Sequence, residues 1–498
     1  MSTQTIERTP LRDATRGAIS KALHSPWAPL PIILAGTFMV VLDFFIVNVA
    51  LPSIQARLHA SAGSVEWVVA GYSLTSAVLL IGASRLGDRY GRRRLFALGL
   101  AVFTLASAGC GVAPSATVLV IMRLIQGVGA AILMPNVLAL IGELYDGQDR
   151  LRALSAYGMV MGLAAVSGQL IGGALLAANP AGLAWRAVFL INLPIGVAAL
   201  ACVTRLIPAS ARGRGGRIDV AGTALITAAV TAVVLPLVEG RAHGWPLWTW
   251  LSLGATPLLI AAFAAQQRRL AAGGGAPLLA PALFSSRAFT AGLAAQLVFW
   301  CGQASFFLVL AIYLQEGRGL SPLQSGLVFT ILAVSYLTAS LRAPALTVKH
   351  GRRVVMIGAL VLAAGHGLLV GAVALVGAGG SVLALAPGLI VIGAGMGLGI
   401  TPLATVVMNS APPEHVGSVS GVLATAQNVG SAVGVAAIGA IFYGALSHGF
   451  GVALELGVGT LAVVLLVVAL LTRLLPATAP GARMPADTAT AANAAEVG

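Results

Sequence analysis

Two residues of opposite charge stand where a charge is hardest to keep. Asp43 lies in Val41-Leu-Asp-Phe-Phe-Ile-Val-Asn-Val-Ala-Leu-Pro52, and Arg123 opens Arg123-Leu-Ile-Gln-Gly-Val-Gly-Ala-Ala131. Both sit inside apolar runs long enough to cross a bilayer. An ionisable group there is costly and by default marks a functional site. At a rise of about 1.5 Å per residue, Asp43 lies about 12 Å and Arg123 about 9 Å inside the outer ends of their runs. Charges at like depth are expected to meet or to share a polar cavity. The chemistry on offer is uptake and release of a proton, because burial and a nearby guanidinium act in opposite senses on a carboxyl group. A purely structural ion pair is the competing reading. His366, between Gly365 and Gly367 near the middle of a later run, is a third titratable group. It is either a further proton carrier or a hydrogen-bonded core histidine.

Catalytic triads, metal-ligand clusters and phosphate loops are missing from the sequence. The glycines of Gly393–Gly399 fall within a span with no strand before them, so they read as helix packing. Cys110, Cys202 and Cys301 each lie in an apolar run, which predicts neither disulfide nor metal site. The chain therefore reads as no enzyme, without metal or cofactor.

The elements that must position these residues are membrane helices. Of 498 residues, 58% are hydrophobic and 9% charged. That is too little charge to cover a water-facing surface. Fourteen candidate spans follow one another, from about 30–51 and 65–84 to 417–443 and 451–474. An even number puts both termini on one side. Assigning alternate loops to that side places 24 of the 29 lysines and arginines there, 4 opposite, and Arg123 within a span. Positive loops face the cytoplasm, so both termini are expected inside, in the plasma membrane. The net charge of +14 belongs to these loops and not to a nucleic-acid-binding face. Residues 1–29 and 476–498 read as cytoplasmic tails, the latter disordered.

Between spans two and three runs Ser84-Arg-Leu-Gly-Asp-Arg-Tyr-Gly-Arg-Arg-Arg94, which glycine and arginine force to turn at a membrane surface. Lys349-His-Gly-Arg-Arg353, after span ten, echoes it and implies an internal repeat beginning at span nine. Residues 30–206 and 288–475 then form two six-helix bundles, and residues 207–287 carry two inserted helices with Arg212–Arg217 as hinge. In span five, Gly158, Gly162, Gln169 and Gly172 recur at helical spacing and predict a smooth seam, repeated by Gly430 and Gly434 in span thirteen. Gly127 suits a close helix approach in span four. Glu66 is placed at the outer surface, Trp67 and Tyr72 in an interfacial belt, and Glu239 and Glu455 at solvated mouths. Trp185-Arg-Ala-Val-Phe-Leu-Ile-Asn-Leu-Pro-Ile-Gly196 reads as an outer helix start with no site of its own.

These stretches resemble the major facilitator superfamily, in its fourteen-helix drug:proton antiporter branch (EmrB/QacA type). Leu86, Gly87, Asp88, Arg89, Gly91, Arg92 and Arg93 match its loop signature, with Ser84 in place of a glycine. Asp43, Asn48 and Pro52 match its first-span motif, and the Arg123 stretch its fourth-span motif. Gly172 and Gly173 match the antiporter motif of span five, where Gln169 stands in place of proline. The resemblance implies an all-α membrane fold of two bundles plus two helices. It implies proton-coupled efflux of small, hydrophobic drugs or antibiotics by alternating access, with the Asp88 loop latching the two bundles. Proton-coupled uptake of a metabolite is the alternative, and a receptor or scaffold gives no reason for Asp43 and Arg123. The expected partners are substrate, protons and lipid. A monomer is expected, with room for an adaptor protein. Phe44, Phe45, Phe299, Trp300, Phe306 and Phe307 either line an apolar cavity or face lipid.

Overall fold

The computed structural model describes residues 25–209, 219–240, 243–275, 277–279, 281–377, 379–408 and 416–475. The tails, Arg212–Arg217 and the Asp88 side chain lie outside the described residues. Among the described residues the regular structure is helical, and fourteen helices are long and apolar enough to cross a membrane. They are α1 Pro29–Leu58, α2 Ala62–Tyr90, α3 Arg92–Gly111, α4 Ala116–Leu144, α5 Gly147–Ala178, α6 Asn192–Leu206, α7 Val220–Glu239 and α8 Leu247–Ala272, then α9 Arg287–Ile312, α10 Pro322–His350, α11 Arg352–Val376, α12 Ala386–Met408, α13 Val416–Ala445 and α14 Phe450–Leu471. A short helix, Ala187–Leu190, leads into α6, and the membrane-length stretch here is Ala184–Leu206, which includes both. The start of α1 and the end of α14 share one side, called the tail side below; the opposite side is the far side.

Local sequence sets the ends. Ser61, Ser115, Ser286 and Ser321 cap α2, α4, α9 and α10 through their hydroxyls, and Ser321 with Gln324 forms a full capping box. Gly91 and Gly351 adopt positive φ of 95° and 53° and separate α2 from α3 and α10 from α11. A side chain is disfavoured in that conformation, and both turns fall in the echoing basic loops. The first helix outruns its expected end at residue 51. Pro52 removes one backbone donor, yet the helix continues to Leu58 and stops at His59, φ 50°.

Helix packing is repeated in the two halves. In the first, α3 lies on α4, α2 on α4, α1 on α5, and α6 on α3 and α1. In the last six helices α11 lies on α12, α10 on α12, α9 on α13, and α14 on α11 and α9. Glycine sets the closest of these approaches. A methyl on Gly129 would sit 2.6 Å from the Phe103 nitrogen, and one on Gly395 would sit 2.7 Å from the Leu362 Cα. An arginine opening the third helix of each half binds the end of the sixth. Arg93 donates to the Ile207 carbonyl at 3.0 Å, and Arg352 donates to the carbonyls of Arg473 and Leu475. Cations suit the carbonyl end of a helix.

The halves meet where α2 crosses α13 and α5 crosses α10. Helix α7 rests on both α2 and α13, and α8 rests on α7. The named contacts between halves cluster toward the far side. Phe45 meets Phe307 edge-on at 5.0 Å, Gln315 donates to the Val49 carbonyl at 2.9 Å, and a methyl on Gly173 would sit 2.6 Å from the Pro322 carbonyl. Toward the tail side α10 loses its cover: Leu341 and Val348 are exposed.

Candidate functional site

Asp43 and Arg123 meet inside the first half. Arg123 donates through Nη1 to Asp43 Oδ2, and their side chains are 0% and 1% exposed. A pair this deep holds only when its remaining lone pairs and protons are met, and here they are. Gln126, one turn along α4, donates to Asp43 Oδ1 at 2.9 Å and accepts from Arg123 at 2.8 Å. Asn192, at the start of α6, donates to the same Oδ1 at 3.3 Å and to Ser107 Oγ of α3 at 3.1 Å. Arg123 Nε donates to the Val68 carbonyl at 2.8 Å. Its guanidinium lies 4.4 Å over the Tyr72 ring and 5.8 Å over that of Phe189, a cation–π pairing strengthened away from water. One carboxylate thus ties together α1, α4 and α6, and its arginine reaches α2.

Several expectations need correction here. Tyr72 is buried beneath Arg123 and is no interfacial anchor. Glu66 is not at the surface: it is 1% exposed, and a methyl on Gly439 of α13 would sit 2.9 Å from its carboxyl carbon. Trp67 donates to Glu239 at 2.7 Å and so joins α2 to α7. The Trp185–Gly196 stretch does contribute to the site, through Asn192. Its signal in the sequence was an amide two residues before Pro194 in an otherwise apolar start. Gln126 was visible in the same way, one turn after Arg123. Ser107 has no such signal.

Other candidate residues lie elsewhere. Asn48 donates to the carbonyls of Phe44 and Phe45 within its own helix, and Pro52 lies inside α1. His366 is buried in α11, its Nδ1 2.7 Å from the Leu362 carbonyl and its ring edge-on to Phe306 at 5.0 Å. Helix α11 packs on α12 and α14 in the other half, so the structure does not bring His366 to Asp43. In the loop, Arg92 donates to the Ala139 carbonyl at 3.0 Å and lies 3.9 Å from Glu143, while Gly87 abuts Asn136 of α4. These contacts of Arg92 and Arg93 stay within the first half. Leu86 is half-buried and Arg89 is exposed, its guanidinium 5.4 Å from the Tyr90 ring.

The small-residue seams divide. Gly168 and Gly172 face α1, where methyls would sit 2.9 Å from the Phe45 Cβ and 2.8 Å from Ile46. Gly430 and Gly434 face α9 in the same manner at Leu297 and Cys301, and Gly127 faces Tyr72 and Thr75 of α2. Gly158 and Gly162 have no atom within 4 Å of a Cβ position, Gly158 being exposed and Gly162 buried. Gln169 is 2% exposed at the α5–α10 crossing, where a methyl on Gly326 would sit 2.8 Å from its backbone carbonyl oxygen. No group of three or more metal-ligating side chains occurs among the described residues.

Comparison with known proteins agrees with this architecture. A peptide transporter of the POT family, solved with sulfate, superposes with a TM-score of 0.65 over 90% of this chain and 95% of its own, at 15% identity. A bacterial homologue of the human lysosomal transporter Spinster, solved inward-facing and occupied, gives 0.63 over 89% and 95%, at 14% identity. In sequence the chain is 38% identical over 421 residues to a probable actinorhodin transporter of Streptomyces coelicolor, covering 84% of this chain and 73% of that one. It is 33% identical over 484 residues to a cephamycin export protein of Amycolatopsis lactamdurans, covering 95% and 97%. A tetracenomycin C resistance and export protein of Streptomyces glaucescens is 32% identical, over 84% and 76%. The profile of the Major Facilitator Superfamily matches residues 33–435 and 295–494. With fourteen membrane-length helices and this profile across its length, the chain belongs to the major facilitator superfamily.

Proposed function

We propose that this protein exports small, hydrophobic, antibiotic-like molecules in exchange for protons by alternating access. In this reading Asp43 carries the proton, and both termini lie in the cytoplasm of a plasma-membrane protein. The observation that carries it is the buried Asp43–Arg123 pair with three hydrogen-bond donors converging on one carboxylate. Relatives named as exporters or transporters of actinorhodin, cephamycin and tetracenomycin C support the direction and the class of cargo. Protonation of Asp43 would leave Arg123, Gln126 and Asn192 donating to a neutral group. A buried arginine without its counter-charge costs several kcal/mol, so that state favours a conformation that lets water or another acceptor reach Arg123. Helix α1 carries the change outward, because Phe45 and Val49, just beyond Asp43, touch Phe307 and Gln315 of the other half. A ligand or proton shifts such an equilibrium only by favouring one state over the other.

The test is proton flux driven by substrate in proteoliposomes. Asp43→Asn, near-isosteric and unable to titrate, is expected to bind substrate and to lose gradient-driven efflux, keeping at most downhill exchange. Flux equal to wild type would move proton coupling to another residue.

A further inference from the structure

Two buried glutamines, Gln169 and Gln296, have neither amide atom hydrogen-bonded. A buried amide almost always finds partners, and Gln169 is the one at a junction between halves. Its neighbours fix its place. Gly168 lies on Phe45 of α1, the backbone carbonyl of Gln169 meets Gly326 of α10, and Phe329 follows one turn after Gly326. Phe45 meets Phe307 edge-on at 5.0 Å, and Phe307 stacks on Phe329 at 5.6 Å with 19° between planes. Gln169, its buried amide unpartnered, thus belongs to the α5 turn that adjoins helices α1 and α10, which with α9 supply this aromatic cluster. Along α5 toward the tail side, neither Gly162 nor Gly158 has an atom within 4 Å of its Cβ position. Gln169 is about 10 Å further in, where that clearance ends.

We infer that Gln169, with Phe45, Phe307 and Phe329, forms a recognition subsite for a neutral, planar aromatic bearing a carboxamide or lactam edge. A primary amide presents a donor beside an acceptor, and the matching ligand group presents an acceptor beside a donor. The ligand is neutral because Arg123, the buried cation of this half, is already held by Asp43. The α5–α10 crossing must part when the halves exchange sides, which admits the ligand edge to the amide. The inference rests on the export reading in taking this ligand to be the cargo. Binding itself needs no gradient.

The test uses the full-length protein in detergent with two tritiated probes, naphthalene-2-carboxamide and 2-acetylnaphthalene, which differ in the amide donor. Wild type is expected to bind the carboxamide about 3- to 10-fold more tightly, the effect of one added hydrogen bond. Gln169→Leu should erase this preference and Phe329→Ala should weaken both probes alike. Equal binding of the two probes by wild type, which depends on no variant folding, would overturn the proposal. So would a preference that survives Gln169→Leu. A preference lost in Gln169→Leu without energised accumulation of the carboxamide by wild-type inverted vesicles would keep the subsite and refute export of this ligand.

Discussion

At the scale of single residues, identity matters less than what the tertiary fold sets against each side chain. Asn48 and Asn192 are both amides in apolar helices. Asn48 spends its donor on its own helix, whereas Asn192 bridges Asp43 and Ser107. A hydrogen bond to a charged group contributes about 1.5–3 kcal/mol, against about 1 kcal/mol for a neutral one. Asn192→Leu is therefore expected to slow initial efflux in inverted vesicles by about tenfold at equal abundance, and Asn48→Leu by less than about threefold. Equal losses would reduce Asn192 to a packing residue. Gln126 offers the same logic with two bonds at stake, one to each charge of the pair.

At the scale of helices, glycine decides which pairs can touch. The Gly129 contact is with backbone of α3, which cannot swing aside as a side chain would. Overpacking a fitted contact costs about 1–3 kcal/mol. Gly129→Ala should thus lower the melting temperature of the purified protein in detergent. Gly158→Ala meets no atom within 4 Å and replaces the poorer helix former by the best, a gain of about 1 kcal/mol. It should hold or raise the melting temperature. A fall of equal size in both variants would mean that α5 packs at Gly158 as it does at Gly172. The inserted pair is placed by similar local devices. Asp219 caps α7 through the Gly222 amide at 2.8 Å and accepts from Gln266 at 2.8 Å and from Gln267, closing the tail-side end of the α7–α8 hairpin.

At the scale of the whole molecule, the two halves repeat each other in packing and differ in charge. The first half holds the Asp43–Arg123 pair. In the last six helices His366 is buried against the ring of Phe306. The named contacts between halves gather on the far side. Whether the tail side is the cytoplasm is set by the membrane. Single cysteines placed at Gln148 and at Ser447, both exposed, in a background without Cys110, Cys202 and Cys301, test it. In intact cells an impermeant maleimide should label Ser447→Cys and spare Gln148→Cys. The reverse pattern would invert the orientation.

Taken by itself, the sequence determined what depends on composition and on order along the chain. Fourteen spans, the basic turns at Gly91 and Gly351, the repeat of six helices and the cost of Asp43 and Arg123 in apolar runs follow from transfer free energies and spacing, which need no knowledge of neighbours. Their similar depth already implied that the two charges would meet or share a polar cavity. The tertiary structure decided which faces are turned toward which helix. It put Tyr72 beneath a guanidinium and not in an interface, drew Glu66 into the α2–α13 crossing, brought Asn192 to the carboxylate across 149 residues of chain, and set Ser107 against Asn192 across 85. It also separated Gly158 from Gly172, though both lie on the predicted seam, because helices that touch at one end diverge at the other. Rotation about a helix axis and the angle between helices are set by packing with partners distant in sequence, and a pattern read along one helix carries no record of them.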